Sequence, residues 1–175
     1  LQTGVSPRAT VFGPMAEVVR QSLQHMSTAD VQAMAVYLKS LPGPAQPARR
    51  APRDTSEQAR QQLALGAKLY EAQCASCHQA DGKGVPPGYP PLAGNRAVTL
   101  AQTENLLQTV LHGGFGPATA GRPRPYGMPP FTLTLSDTEI AAVLSHIRSA
   151  WGHHASEVSP LQVLQMRQAS SGNLR

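Results

Sequence analysis

Apolar residues recur at the three- to four-residue spacing of an amphipathic helix in the middle and in the last third of the chain. The first such stretch begins after Ser56, a residue suited to cap a helix, and ends just before Cys74. Its apolar and small positions are Ala59, Leu63, Gly66, Ala67 and Tyr70. The pattern predicts a helix over this stretch.

Two more helices are predicted downstream. One has an apolar face that ends at Gly113-Gly114, a pair typical of a helix terminus. Its members are Leu106, Leu107, Val110 and Leu111. The other opens with the capping box Ser136-Asp-Thr-Glu139. Its apolar positions are Ile140, Val143, Leu144, Ile147 and Trp151. Because Gly66 and Ala67 are small, we expect the first helix to cross the last one closely, near Ile147 and Trp151.

The stretches 79–99 and 113–135 are rich in Gly and Pro, which predicts two long loops. Loops of this length in a compact domain are usually functional or packed on a ligand. No alternating strand pattern stands out. Residues 57–152 are therefore predicted to form an all-α domain of helices joined by long loops, followed by a tail over residues 153–175.

The region before this domain divides into two parts. Residues 42–56 contain several prolines among Ala and Arg, which predicts a linker without regular structure. Residues 1–41 end in a predicted helix, and positions 26–38 resemble positions 135–147 in their cap, their acidic first turn and their apolar face. Each segment also follows a methionine, Met15 or Met128. Residues 1–41 are thus interpreted as the C-terminal remnant of a preceding domain of the same kind, in a fragment or a natural truncation.

Composition adds two constraints. Aromatic residues are only 5 % of the chain, so a bound cofactor would supply apolar bulk that the side chains lack. The net charge is +5, but the basic residues are not clustered as a nucleic-acid site requires. The densest run, Arg49, Arg50 and Arg53, lies in the linker and is typical of a solvated segment. We expect no nucleic-acid partner.

The two cysteines of the chain stand in Cys74-Ala-Ser-Cys77-His78. Two intervening residues let both sulfurs reach one edge of a porphyrin, and the histidine that follows can then ligate the iron. A thioredoxin-type pair would need a strand and helix around it, and a zinc site would need four ligands. The sequence offers neither setting. The motif predicts one covalently attached c-type haem, with His78 as an iron ligand.

Met128 is the predicted sixth ligand, because it lies in a proline-stiffened loop and Met/His ligation suits an electron carrier. His112 is the alternative, and a second histidine ligand would lower the potential. The pocket is predicted to include Pro90, Leu92, Asn95 and Tyr126. The carbonyl of Pro90 is expected to accept the second ring N–H of His78, unless the segment is an ordinary proline turn. The remaining histidines are expected at the surface: His25, His146, His153 and His154.

Together these motifs resemble class I cytochrome c domains. Nearly the whole chain also resembles the C-terminal part of the three-haem cytochrome c subunit of bacterial membrane-bound alcohol, gluconate and aldehyde dehydrogenases. The narrower resemblance depends on Gly13-Pro-Met-Ala-Glu-Val-Val19 and Arg148-Ser-Ala-Trp-Gly152. It implies a class I cytochrome c fold wrapped around one haem. It also implies that Met15 matches the axial methionine of the preceding domain, where no cysteines remain to attach a haem.

The resemblance implies a function in electron transfer, without catalysis, from a periplasmic dehydrogenase subunit to quinone or a terminal oxidase. It places the protein in the bacterial periplasm, in association with the inner membrane. The tail around residues 160–167 is short and weakly amphipathic, so membrane contact would be peripheral. The alternative is a haem enzyme or a ligand-sensing haem domain with a labile sixth ligand. The loop 113–127 contains Arg122 and Arg124 but no carboxylate or histidine, which argues against catalysis.

Overall fold

A computed structural model describes residues 1–43 and 54–172. Most of the predicted linker, residues 44–53, lies outside this part of the chain. The helices are α1 (Pro14–Gln21), α2 (Thr28–Ser40), α3 (Glu57–Gln73), α4 (Ala75–His78), α5 (Arg96–Thr99), α6 (Glu104–His112), α7 (Asp137–Ser149) and α8 (Pro160–Gly172). Very short strands form two antiparallel pairs. In one, β1 (Val5–Ser6) pairs with β2 (Ala9–Thr10), and in the other, β3 (Gly114–Phe115) pairs with β4 (Gly127–Met128).

The helix termini lie where the capping signals predict them. The hydroxyl of Ser56 accepts a hydrogen bond from the Ala59 N–H at 3.2 Å and begins α3, which ends at Gln73. Ser136 and Glu139 form the expected capping box at the start of α7. Helix α6 ends at His112 and is capped by Gly113, whose φ of 63° a residue with a Cβ adopts only under strain. These local signals explain why the three central helices were predictable.

The core is formed where α3 crosses α7. A Cβ at Gly66 would collide with the carbonyl oxygen of Ala142, so only glycine allows the two backbones to approach this closely. The close approach of the two helices was expected. Ala142 lies opposite Gly66, and the ring of Trp151, also expected at the crossing, packs edge to face on Tyr70 with centroids 5.2 Å apart. Trp151 was predicted on the last helix and lies beyond its end, with a φ of 51°. The prediction was wrong because α7 ends at Ser149 and the chain turns back there.

The predicted tail contains an ordered helix. Val163 of α8 is fully buried in the core cluster, and Arg167 pairs with Asp137 of α7 at 2.5 Å. Leu161 and Leu164 remain exposed on the other side. Within the described residues, no helix is both long and apolar enough to cross a membrane. The tail thus packs on the domain through Val163 and leaves two leucines exposed.

The N-terminal segment packs on the long loop that follows α6. Gly4 contacts Pro117, and the side-chain oxygen of Gln24 accepts a hydrogen bond from the Ala120 N–H at 3.0 Å. Helix α2 has a serine cap like that of α7, yet none of its residues is buried. At matched positions of the internal repeat, Leu38 is 52 % exposed and Ile147 is 5 % exposed. Helix α2 thus presents an apolar face without the packing that covers α7.

Two loop predictions need correction. The stretch 79–99 contains the short helix α5, which Asn95 caps by accepting a hydrogen bond from the Ala97 N–H at 3.0 Å. The stretch 113–135 contains the strands β3 and β4. Each strand has only two residues, which is too short to produce an alternating pattern in the sequence. Of the histidines expected at the surface, His153 is instead buried, with 7 % of its surface exposed.

Candidate haem-binding site

One cavity of about 840 Å³ opens between the central helices and the two long loops. Its volume falls in the range of small-molecule and cofactor sites. All the predicted site residues line it: Cys74, Cys77, His78, Pro90, Leu92, Asn95, Tyr126 and Met128. The wall between them is mostly apolar, with Val98, Leu106, Phe131, Leu144 and Ile147. The fold brings residues that are far apart in sequence to one apolar chamber.

His78 is held in a single orientation. Its Nδ1 lies 2.9 Å from the carbonyl oxygen of Pro90, the contact that the sequence predicted. Since a carbonyl can only accept, Nδ1 carries the proton and the lone pair of the imidazole is on Nε2. Burial lowers the pKa of His78, and the bond to Pro90 opposes this only in part. Both the lowered pKa and the bond through Nδ1 favour the form in which Nε2 is the ligating nitrogen, as a metal-binding histidine requires.

The two cysteines belong to the short helix α4: Cys74 is its N-cap and Cys77 lies within it. The Cys74 N–H donates to the carbonyl of Tyr70 at 2.9 Å, so α3 and α4 are joined by a tight turn at this residue. Burial, followed by the neighbouring Cys77 thiolate, raises the pKa of the Cys74 thiol to about 11. Redox-active cysteine pairs instead have lowered thiol pKa values. The raised pKa of Cys74 argues against a thioredoxin-type nucleophile at this position.

Met128 is fixed by backbone contacts on both sides. It pairs with Gly114 across the β3–β4 ladder, and its side chain packs on the core cluster. The prolines that follow it lead to Phe131 and Thr132, whose N–H groups donate to carbonyls of α6 at 3.0 and 3.1 Å. A Cβ at Gly113 would collide with the Met128 carbonyl. The loop therefore presents this thioether to the cavity from a defined position.

The segment that carries Pro90 is also internally bonded. Leu92 and Ala93 donate their N–H groups to the carbonyl of Gly82 at 2.7 and 2.9 Å. The Asn95 side chain donates to the carbonyl of Pro91 at 3.0 Å in addition to capping α5. Asn95 lines the cavity, but its polar groups serve the loop. Leu92 contributes an apolar side chain that packs against the core.

Tyr126 lies at the cavity mouth and is 61 % exposed. Its ring stacks on Tyr89, with centroids 5.1 Å apart, and joins the two long loops. Arg122 lines the same mouth and donates through Nη2 to the carbonyl of Gly88 at 3.2 Å. Its other terminal nitrogen, Nη1, is buried and has no partner among the described residues. A buried guanidinium nitrogen without a partner is costly, and it fits the carboxylate of a ligand such as a haem propionate.

Three features of the site were not expected from the sequence. Phe12 and Met15 of the N-terminal segment line the cavity, and Arg122 faces it. Phe12 packs near Gly114, so the segment adds to the wall beside Met128. A contact between distant segments leaves no spacing signal in the sequence, so these features could not be predicted. The alternative ligand His112 also lines the cavity, but its Nε2 lies 3.0 Å from the hydroxyl of Ser170 in α8.

The family model described as cytochrome c matches residues 63–151. The alcohol dehydrogenase (quinone) cytochrome c subunit of Gluconobacter oxydans is 38 % identical over 172 residues, which cover 95 % of this chain and 36 % of that protein. The fructose dehydrogenase cytochrome subunit of Gluconobacter japonicus is 33 % identical, over 95 % of this chain and 38 % of that protein. Cytochrome c-552 of Thermus thermophilus is 46 % identical over 90 residues, which cover 50 % of this chain and 68 % of that protein. The chain thus spans little more than a third of the dehydrogenase subunits.

Proposed function

We propose, from the premise that this chain belongs to the cytochrome c family, that its cavity holds one haem bound through Cys74 and Cys77. Cytochrome c domains transfer electrons through a covalently bound haem c, and that is the function of this chain. The haem supplies a reversible one-electron iron couple. The finer assignment of a class I cytochrome c fold, with helices and long loops around the haem, is supported by the α3–α7 crossing beside the cavity.

The observation that carries the proposal is the state of His78. The Pro90 carbonyl accepts a hydrogen bond from the Nδ1–H of His78, which leaves the Nε2 lone pair available in an apolar chamber. Met128 lines the same chamber and is proposed as the second axial ligand. A thioether ligand favours the reduced iron and so gives a higher potential than a second histidine would.

The remaining groups of the site would bind a haem propionate and shield the iron from water. Arg122 is proposed to pair with a propionate, because its Nη1 is buried and unsatisfied by the rest of the described chain. The apolar wall excludes water from the iron, which limits the reorganisation that accompanies electron transfer and raises the potential. The haem enzyme or sensor with a labile sixth ligand is not favoured, since Met128 is held firmly at the cavity by the β3–β4 ladder.

We also propose a setting for the chain. The relatives named as dehydrogenase cytochrome subunits suggest that it receives electrons from a dehydrogenase subunit and passes them to quinone or an oxidase. Residues 1–41 are proposed to be the remnant of a preceding haem domain, which explains why α2 has the cap of α7 but no buried residue. A periplasmic location with peripheral contact to the inner membrane completes the proposal, and cell fractionation tests it.

Carbon monoxide binding tests whether the sixth coordination position of the iron is occupied. The purified, haem-loaded chain is reduced, and its spectrum is recorded with and without the gas. We expect unchanged bands, because Met128 occupies the sixth position. Rapid formation of a carbon monoxide complex by the native protein would overturn this ligation and favour the open-site alternative.

A further inference from the structure

One buried histidine lies outside the cavity. The Nδ1 of His153 is 2.9 Å from the carbonyl oxygen of Ile147, and its Nε2 lies 3.0 Å from the backbone nitrogen of Gly94. The carbonyl can only accept and the amide can only donate, so the proton is on Nδ1 and the Nε2 lone pair accepts the Gly94 N–H. His153 therefore links the last turn of α7 to the loop that carries Pro90.

Gly94 lies at the end of a short bonded segment. The carbonyl of Gly82 holds Leu92 and Ala93 in the middle of this segment, and Pro90 at its start accepts the hydrogen bond from His78. The bond from Gly94 to His153 ties the end of the segment to α7, because His153 is itself bonded to the Ile147 carbonyl. The position of the Pro90 carbonyl thus depends on the backbone anchors at Leu92, Ala93 and Gly94, and on the bond from the Asn95 side chain to the Pro91 carbonyl.

The turn that contains His153 also contacts Gly82, the residue whose carbonyl holds Leu92 and Ala93. A Cβ at Gly82 would lie 2.8 Å from the ring of Trp151, and the Trp151 indole N–H donates to the carbonyl of Ala80 at 3.3 Å. The rings of Trp151 and His153 meet edge to face, with centroids 6.1 Å apart. Residues 151–153 therefore clamp the segment that follows His78 and the segment that orients it.

We propose that His153 is a positioning residue for His78 and acts through the Gly94–Pro90 segment. The proposal rests on the proposed function, in which His78 ligates the haem iron. A firm bond from Nδ1–H to a carbonyl makes a histidine ligand more basic, which favours the oxidised iron. Releasing Gly94 loosens the Pro90 carbonyl, weakens this bond, and shifts the midpoint potential to a more positive value.

Two variants separate this role from simple packing. His153→Gln places a side-chain oxygen near the Nε2 position and can still accept the Gly94 N–H. His153→Asn places its amide nitrogen near the Nδ1 position, so it keeps the bond to Ile147 and loses the bond to Gly94. His154→Asn is the matched control, because His154 is the exposed neighbour. The three proteins and the wild type are compared by haem content and by redox titration.

We expect a positive shift in His153→Asn and values near wild type in His153→Gln and His154→Asn. If His153→Asn does not retain haem, retention by His153→Gln is the expected rescue. An unshifted potential in His153→Asn, an equal shift in both His153 variants, or haem loss in both would overturn the positioning role. A wild-type chain that attaches no haem would instead overturn the proposed function, so the two failures are distinguishable.

Discussion

At the scale of single residues, the site depends on two side chains that line the same cavity, His78 and Arg122, each of which has one nitrogen without a partner among the described residues. The His78 imidazole has one nitrogen bound and one available, and Arg122 has one terminal nitrogen bound and one unsatisfied. Protein contacts alone do not account for either arrangement. Both are explained by a ligand that combines a metal with carboxylate groups, as haem does.

Met128→Ala should remove the sixth ligand. We expect the weak charge-transfer band at the red end of the oxidised spectrum to disappear, and the reduced protein to bind carbon monoxide. The matched control is Met15→Ala, because Met15 also lines the cavity but is half exposed. Loss of the band in Met15→Ala together with its survival in Met128→Ala would move the ligand to the N-terminal segment.

Arg122→Gln should lower the midpoint potential, since a positive charge near the haem disfavours the oxidised, more positive iron. A change on the order of 50 mV corresponds to roughly 1 kcal/mol for a one-electron couple. Arg124→Gln removes the same charge from an exposed position, where solvent screens it, and should have little effect. Equal shifts in the two variants would mean that Arg122 acts only through net charge.

The motif residues were predictable, but their surroundings were not. Cys74, Cys77 and His78 are adjacent in sequence and their chemistry requires that spacing. Phe12 and His153 reach the site or its supporting loop through tertiary contacts, and no periodicity signals such contacts. His153 looked like a surface histidine because a polar residue after a helix usually is one. Its burial depends on two backbone partners that only the fold brings to it.

At the scale of elements, α3 and α7 cross beside the cavity, and side chains of both helices line it. Local signals predicted both helices and their caps, because a cap needs only residues three positions apart. The partner of Gly66 was predicted less well, since the crossing point depends on the exact end of α7 at Ser149. The short ladder β3–β4 was not predicted at all, although it presents Met128.

Gly66→Ala tests the crossing. Alanine alone favours a helix over glycine by ~1 kcal/mol. Its Cβ would nevertheless collide with the Ala142 carbonyl, so we expect the free energy of unfolding to fall by about 1–3 kcal/mol. Urea unfolding of the haem-loaded protein measures this change. Ala64→Leu on the exposed side of α3 is the control and should stay within ~0.5 kcal/mol. A Gly66→Ala protein as stable as the wild type would show that the helices can separate without cost.

At the scale of the whole molecule, the described residues include a cavity and an N-terminal segment, Phe12 and Met15 of which help to line it. The segment packs on the loop 113–121 through Gly4 and Gln24, while the apolar face of α2 stays uncovered. The chain also spans little more than a third of the dehydrogenase cytochrome subunits that it resembles. These observations support the proposal that the chain is one electron-transfer unit of a longer relay.

Mass spectrometry of the mature protein tests the central claim most directly. The intact mass should exceed the mass of the 18.6 kDa polypeptide by one haem, and peptide mapping should place that haem on the fragment that contains both Cys74 and Cys77. Thioether bonds survive denaturation, so the added mass should persist after acid and organic solvent. An intact mass equal to the bare polypeptide, or haem released on denaturation, would contradict the account.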